Sequence, residues 1–162
     1  MNNQSIEQLL IDTVDEIKAI ELLIGQVGVM SPMCKYLTHY TLMKACGVIE
    51  FSYKTIIADF HNGCSIQLQT YIDKTVRENS KNPSLDNIHS LLKSFDDNWN
   101  IQFTSILNNH PDKSRLISSL NSLNSNRNAL AHGQQCNVSF SDIKSYFFDA
   151  LEIIKFVDTV VV

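Results

Sequence analysis

Arginine is the scarcest charged residue in this 162-residue chain: Arg77, Arg115 and Arg127 are the whole supply, and Asp plus Glu outnumber Lys plus Arg by 17 to 13. A formal net charge of −4 excludes a general nucleic-acid coat protein, which draws its affinity from a broad basic surface. It leaves room for an enzyme that makes a few local phosphate contacts. Proline and glycine are also few, three and five residues. That excludes a low-complexity linker and leaves the chain divided into helix-length segments. Strand-like alternation is rare, which argues against a sheet. No apolar run is long enough to span a bilayer, and the polar, uncharged start Met1–Gln4 is unlike a signal peptide, so a cytoplasmic protein with no membrane partner is expected. The four cysteines form no C-x-x-C pair and are expected as reduced thiols. His61-x-x-Cys64 could supply half a zinc site, but no second half is apparent, and no metal or cofactor is expected. Glycine-rich phosphate loops and the G-x-S-x-G elbow are missing, which removes the nucleotide-hydrolysing and serine-hydrolase readings those motifs carry.

What remains is helical periodicity. Ile6, Leu10, Val14, Ile17 and Leu23 form a stripe over about residues 6–26, closed by Gly25 to Gly28. After Pro32 a long segment runs from about Met33 to His61, with Leu37, Tyr40, Met43, Cys46, Ile49, Tyr53, Ile56 and Phe60 at helical spacing. Its aromatics, with Tyr36, are expected in the core or a dimer interface. Residues 65–79 read as a third helix, and Ser84 caps a short one through Phe95. Residues 97–110 read as less regular. Pro111-Asp112 opens a helix ending near Gly133, and Ser141-Asp142 opens the last. The sum is a single all-α domain over residues 1–162, a bundle of about five to six helices.

The chemistry is concentrated in Arg127-Asn128-Ala129-Leu130-Ala131-His132-Gly133. Residues 111–135 are net basic within an acidic chain, and they contain this segment. RNA cleavage by its own 2′-hydroxyl needs a proton taken from that oxygen, a proton given to the departing 5′-oxygen, and charge stabilisation at phosphorus in between. A histidine fills either proton role near neutral pH. An arginine holds the non-bridging oxygens with parallel hydrogen bonds. Asn128 and His132 are four apart and share a helix face, whereas Arg127 lies about 140° around from His132. One helix therefore supplies an incomplete site, and two copies facing across a two-fold axis would complete it. An Arg followed by a His at this spacing arises by chance roughly 0.3 times in such a chain, and Asn directly after the Arg lowers that to a few hundredths. The same residues also suit a plainer role, since cationic groups in a last turn favour the negative end of the helix dipole by about 0.3–1 kcal/mol.

Arg127-Asn128-x-x-x-His132 resembles the R-x4-6-H signature of the HEPN superfamily, where Asn often follows the Arg. Leu130 to Gly133, the short polar connector, and Val138-Ser139-Phe140-Ser141-Asp142-Ile143 leading into a long last helix are similar to the RiboL-PSP group in particular. Gly47-Val48-Ile49-Glu50 resembles that family's second helix, and the resemblance covers about residues 33–160. It implies a dimeric helical bundle acting as a metal-independent endoribonuclease that leaves 2′,3′-cyclic phosphate ends. Arg127 and His132 carry over as the catalytic pair, Asn128 as the residue that orients them, and Glu50 as a supporting residue whose alternative is a solvated helix charge. The resemblance also implies RNA as substrate, a homodimer, and a toxin or anti-phage effector restrained by an antitoxin-like partner. The alternative is a non-catalytic module that binds a protein or nucleotide, because the same fold serves both.

Overall fold

A computed structural model describes all 162 residues and is α-helical throughout, with no strand. The helices are α1 (Gln4–Val27), α2 (Pro32–Asp59), α3 (Ile66–Ile72) continuing into a π-helical turn (Asp73–Arg77), α4 (Leu85–Phe95), α5 (Asp97–Asn109), α6 (Lys113–Ala131) and α7 (Phe140–Val160). Seven helices stand where five to six were expected. Residues 97–109, expected to be less regular, form a continuous helix with Trp99, Phe103 and Leu107 buried on one face. The expected third helix is shorter than 65–79 and changes to π geometry at Asp73.

Local chemistry sets the helix starts. Ser31, Ser65, Ser84 and Ser139 each accept a backbone N–H of the first turn on the side-chain oxygen, and Asn3 and Asp96 do the same through amide and carboxylate oxygens. Ser139 and Asp142 complete a reciprocal capping box at the start of α7. The N-terminus is tied down by Asp158 in α7, whose carboxylate accepts the backbone N–H groups of Asn2 and Asn3 at 2.5 and 2.9 Å.

α7 is the central helix and packs on α1, α2, α5 and α6. Ile143, Phe147, Ala150, Ile154 and Val157 recur at three- and four-residue spacing and are fully buried there. α2 adds Leu42, Ala45, Ile49, Tyr53 and Ile57, and α6 adds Leu116, Leu120 and Leu123. α6 packs against both α7 and α2, which support the end that carries its C-terminal turn. The aromatics of α2 divide: Tyr53 is wholly buried, whereas Tyr36, Tyr40 and Phe51 are exposed, as is Phe60 just past the helix end. No helix is long and apolar enough to cross a membrane. Phe147→Ala should empty the centre of this core and cost about 3–5 kcal/mol of stability, read as a lowered urea midpoint with little change in slope.

Candidate active site at the end of α6

α6 ends in a two-bond glycine cap. Gly133, at φ +67°, donates its N–H to Leu130 O at 3.1 Å, and Gln134 donates to Ala129 O at 2.8 Å. This Schellman arrangement requires the left-handed conformation that glycine adopts without a Cβ clash. It also makes His132 the capping residue, joined to Asn128 through the backbone, His132 N–H to Asn128 O at 3.0 Å. The His132 imidazole is exposed and forms no hydrogen bond within the chain. The expected neighbourhood of Asn128 and His132 shows as this backbone bond, and no hydrogen bond joins their side chains.

Asn128 turns instead toward Arg127 and a residue the sequence did not single out, Asn82. Arg127 Nη1 donates to Asn82 Oδ1 at 2.6 Å and to Asn128 Oδ1 at 3.3 Å, and Asn82 Nδ2 donates to Asn128 Oδ1 at 3.0 Å. Guanidinium nitrogens only donate, so the amide oxygen of Asn82 must face Arg127 and its NH2 must face Asn128. Three polar side chains thus close one small ring across 45 residues of sequence.

The segment carrying Asn82 is fixed from α2. Lys54 is buried, only 4% exposed, and its ammonium donates to Glu50 Oε1 at 2.5 Å and to the carbonyl of Asn79. The same Glu50 oxygen accepts the backbone N–H of Lys81 at 3.0 Å. Glu50 is accordingly an ion-paired, largely covered group rather than the solvated helix charge considered as its alternative. α4 and α6 close the other side: Asn87 Nδ2 donates to Asn82 O at 2.8 Å, and Asn124 Nδ2 to Pro83 O at 3.0 Å.

The charges converge on Cys46, one turn before Glu50. Burial pushes its thiol up to about 12, the Arg127 charge pulls the other way, and Glu50 adds to the rise. Cys46 stays a thiol and donates to Leu123 O at 3.5 Å, joining α2 to α6 just below the motif. Arg127 differs from the other two arginines in its partners. Arg77 pairs with Asp59 and Asp73, and Arg115 pairs with Asp112 and Asp149. Arg127 has only amide oxygens, and no carboxylate lies within ion-pair distance. Its charge is positioned without being cancelled. His61 and Cys64 meet no third metal-ligating side chain, and the His61 ring instead stacks on Phe95.

Glu50→Ala should leave the Lys54 ammonium underpaired and free the Lys81 amide. Faster hydrogen exchange at Lys81 and a stability loss of about 1–3 kcal/mol are expected, and unchanged exchange would remove Glu50 from this supporting role.

Comparison with known proteins places these features in a family. No match is found among curated proteins or among solved structures. A family model described as RiboL-PSP-HEPN matches residues 2–162, so the likeness takes in α1 as well as the 33–160 region noted from the sequence. With that match running the whole length of the helical bundle, the chain belongs to the RiboL-PSP-HEPN family.

Proposed function

We propose that the protein is a metal-independent endoribonuclease that cleaves RNA through its 2′-hydroxyl and leaves a 2′,3′-cyclic phosphate and a 5′-hydroxyl. The observation that carries this reading is the uncancelled Arg127, held by two amides at the exposed end of α6 within one and a half turns of a free imidazole. In the reaction the 2′-oxygen loses its proton to a base and bonds to phosphorus. The P–O5′ bond then breaks, and the 5′-oxygen takes a proton from an acid. Arg127 binds the non-bridging oxygens and steadies the extra charge of the phosphorane, a contribution of about 10²–10³ in rate for a well-placed donor. His132 supplies a proton-transfer group, typically about 10²–10⁴. Asn128 holds Arg127 from the same helix, and Glu50 acts at a distance by fixing the 79–82 segment.

One imidazole cannot be base and acid at the same instant, and a homodimer supplies the second. α2 favours such a partner. Met33, Tyr36, Tyr40, Met43 and Phe51, with Gly47 between, recur at three- and four-residue spacing and are all exposed. An exposed apolar stripe of this length is uncommon on a monomer and has the period of a helix–helix seam. It borders Cys46 and Glu50, the part of α2 that meets the motif helix. The two-copy site requires that a second copy docked there bring its own α6 end beside the first. The biological setting we infer from the family resemblance is a toxin or anti-phage effector held in check by a partner protein.

Wild type should cut a labelled mixed-sequence RNA in EDTA and leave cyclic phosphate ends, and His132→Ala should be inactive while melting at the same temperature. Cleavage by His132→Ala at the native rate would remove His132 from the mechanism. Met43→Glu places a charge in the middle of the α2 stripe. It should yield a monomer by analytical ultracentrifugation with at least about 10-fold less activity, since the two-copy site is lost. A variant that stays dimeric would locate the interface elsewhere.

A further inference from the structure

An arginine that binds phosphate well must present two N–H groups side by side and in a fixed plane. The guanidinium has five N–H donors, two each on Nη1 and Nη2 and one on Nε. At Arg127 both Nη1 hydrogens are taken up, by Asn82 Oδ1 at 2.6 Å and Asn128 Oδ1 at 3.3 Å. Nε and Nη2 engage no acceptor within the chain. They are also the pair whose N–H bonds lie parallel and match two phosphate oxygens.

We propose that Asn82 is a positioning residue for Arg127: its side-chain amide grips the Nη1 side of the guanidinium and leaves the Nε–Nη2 fork for a phosphate of the RNA. This assignment rests on the ribonuclease reading above. Asn128 alone cannot set the fork, because it sits beside Arg127 on the same helix and its contact is the longer of the two. Asn82 approaches from outside the helix, and its own position is determined on every side. Its carbonyl accepts from Asn87, its neighbours Lys81 and Pro83 are bound by Glu50 and Asn124, and its amide bonds to Asn128. Pro83 confines Asn82 further, since a residue before proline is restricted to extended backbone.

An amide is the suitable grip for this task. A carboxylate at position 82 would hold Nη1 equally well but would cancel the charge that the phosphate needs, as Asp59 does for Arg77. Alanine would leave the charge and release the plane. The two substitutions therefore separate positioning from charge.

The chain has three arginines, so the guanidinium region of a nitrogen-15 NMR spectrum contains few signals, and Arg127→Lys identifies those of Arg127. Wild type should show separately resolved Nη1 and Nη2 protons for Arg127, because rotation about Nε–Cζ is blocked. In Asn82→Ala they should merge. On labelled RNA the same variant should lose about 10–100-fold in kcat with KM within about twofold, the pattern of a group needed for transition-state geometry. Asn82→Asp should keep the Nη signals resolved. Its affinity for an uncleavable 2′-O-methyl RNA should fall, with a log–log salt slope smaller by about 1, whereas Asn82→Ala should keep the wild-type slope. Melting curves of both variants establish that they fold. Unchanged Nη signals and kcat in Asn82→Ala, or equal salt slopes in the two variants, would overturn the assignment. Should wild type cut no RNA, the ribonuclease reading falls by itself. The NMR signals and the 2′-O-methyl RNA slopes would then still decide for or against Asn82.

Discussion

A lysine ammonium taken out of water is costly, by several kcal/mol, unless acceptors replace the water it loses. Lys54 is in that position, beneath the segment that joins the π-helical turn to α4, and it finds the Glu50 carboxylate and the Asn79 carbonyl. The requirement is mutual. The segment lacks regular hydrogen bonds of its own, so its backbone groups need partners as well. Glu50 meets one through Lys81, Asn124 another through Pro83, and Asn87 a third through Asn82. Once those bonds are made, Asn82 has one place to go, and Arg127 is held there. The Arg127 end of α6 thus depends on a charge buried toward the C-terminal end of α2.

The helices that were readable from the sequence are those whose apolar residues outnumber the competing signals. α1, α2 and α7 carry long stripes, and α6 has clear boundaries in Pro111 and Gly133. α5 has the same period in Trp99, Phe103 and Leu107, but Asp97, Asn98, Asn100, Thr104, Ser105, Asn108 and Asn109 stand among and around them. Those residues favour caps and turns in isolation, and burial against α7 overrides them. The site divides in the same way. Arg127, Asn128 and His132 are close in sequence, so their spacing could be read directly. Asn82 is 45 residues from Arg127 and shares no period with it. The local signal there is Asn-Pro, which announces a break in structure and nothing about what the break will touch. Periodicity showed Glu50 only as a charge on a helix and the resemblance added a supporting role without its partners, because those partners come from a segment whose path the sequence does not specify.

Two of the three buried polar groups without a protein partner, Tyr53 and Asn124, lie beside this network, and the third, His61 Nε2, lies past the C-terminus of α2. Tyr53 is wholly buried and its hydroxyl has no protein partner, with burial and then the Glu50 charge both raising its pKa. Asn124 bonds through its NH2 but not its oxygen. An unmet buried group costs about 1–3 kcal/mol. Asp158 closes the N-terminus with both of its carboxylate oxygens engaged.

The acidic surface constrains how such a site would recognise RNA. On the ribonuclease reading each copy offers one uncancelled arginine, so a dimer brings two to the cleft. Affinity that comes from displaced counterions scales with the number of phosphates neutralised, and two or so give a shallow dependence on salt. Long-range attraction is weaker still, because a chain of net charge −4 repels a polyanion beyond the Debye length of about 8 Å. On the same reading general stickiness toward RNA would be low, and discrimination would have to come from contact at close range. Exposed, unstacked nucleotides in loops and bulges provide such contacts, since their bases and 2′-hydroxyls can enter a cleft that a regular duplex cannot. The free 2′-hydroxyl geometry of those regions is also what in-line attack requires. On that reading, a low-charge nuclease with an arginine held like Arg127 would be confined to a small class of RNA sites by the same feature that would make it poor at binding RNA in general.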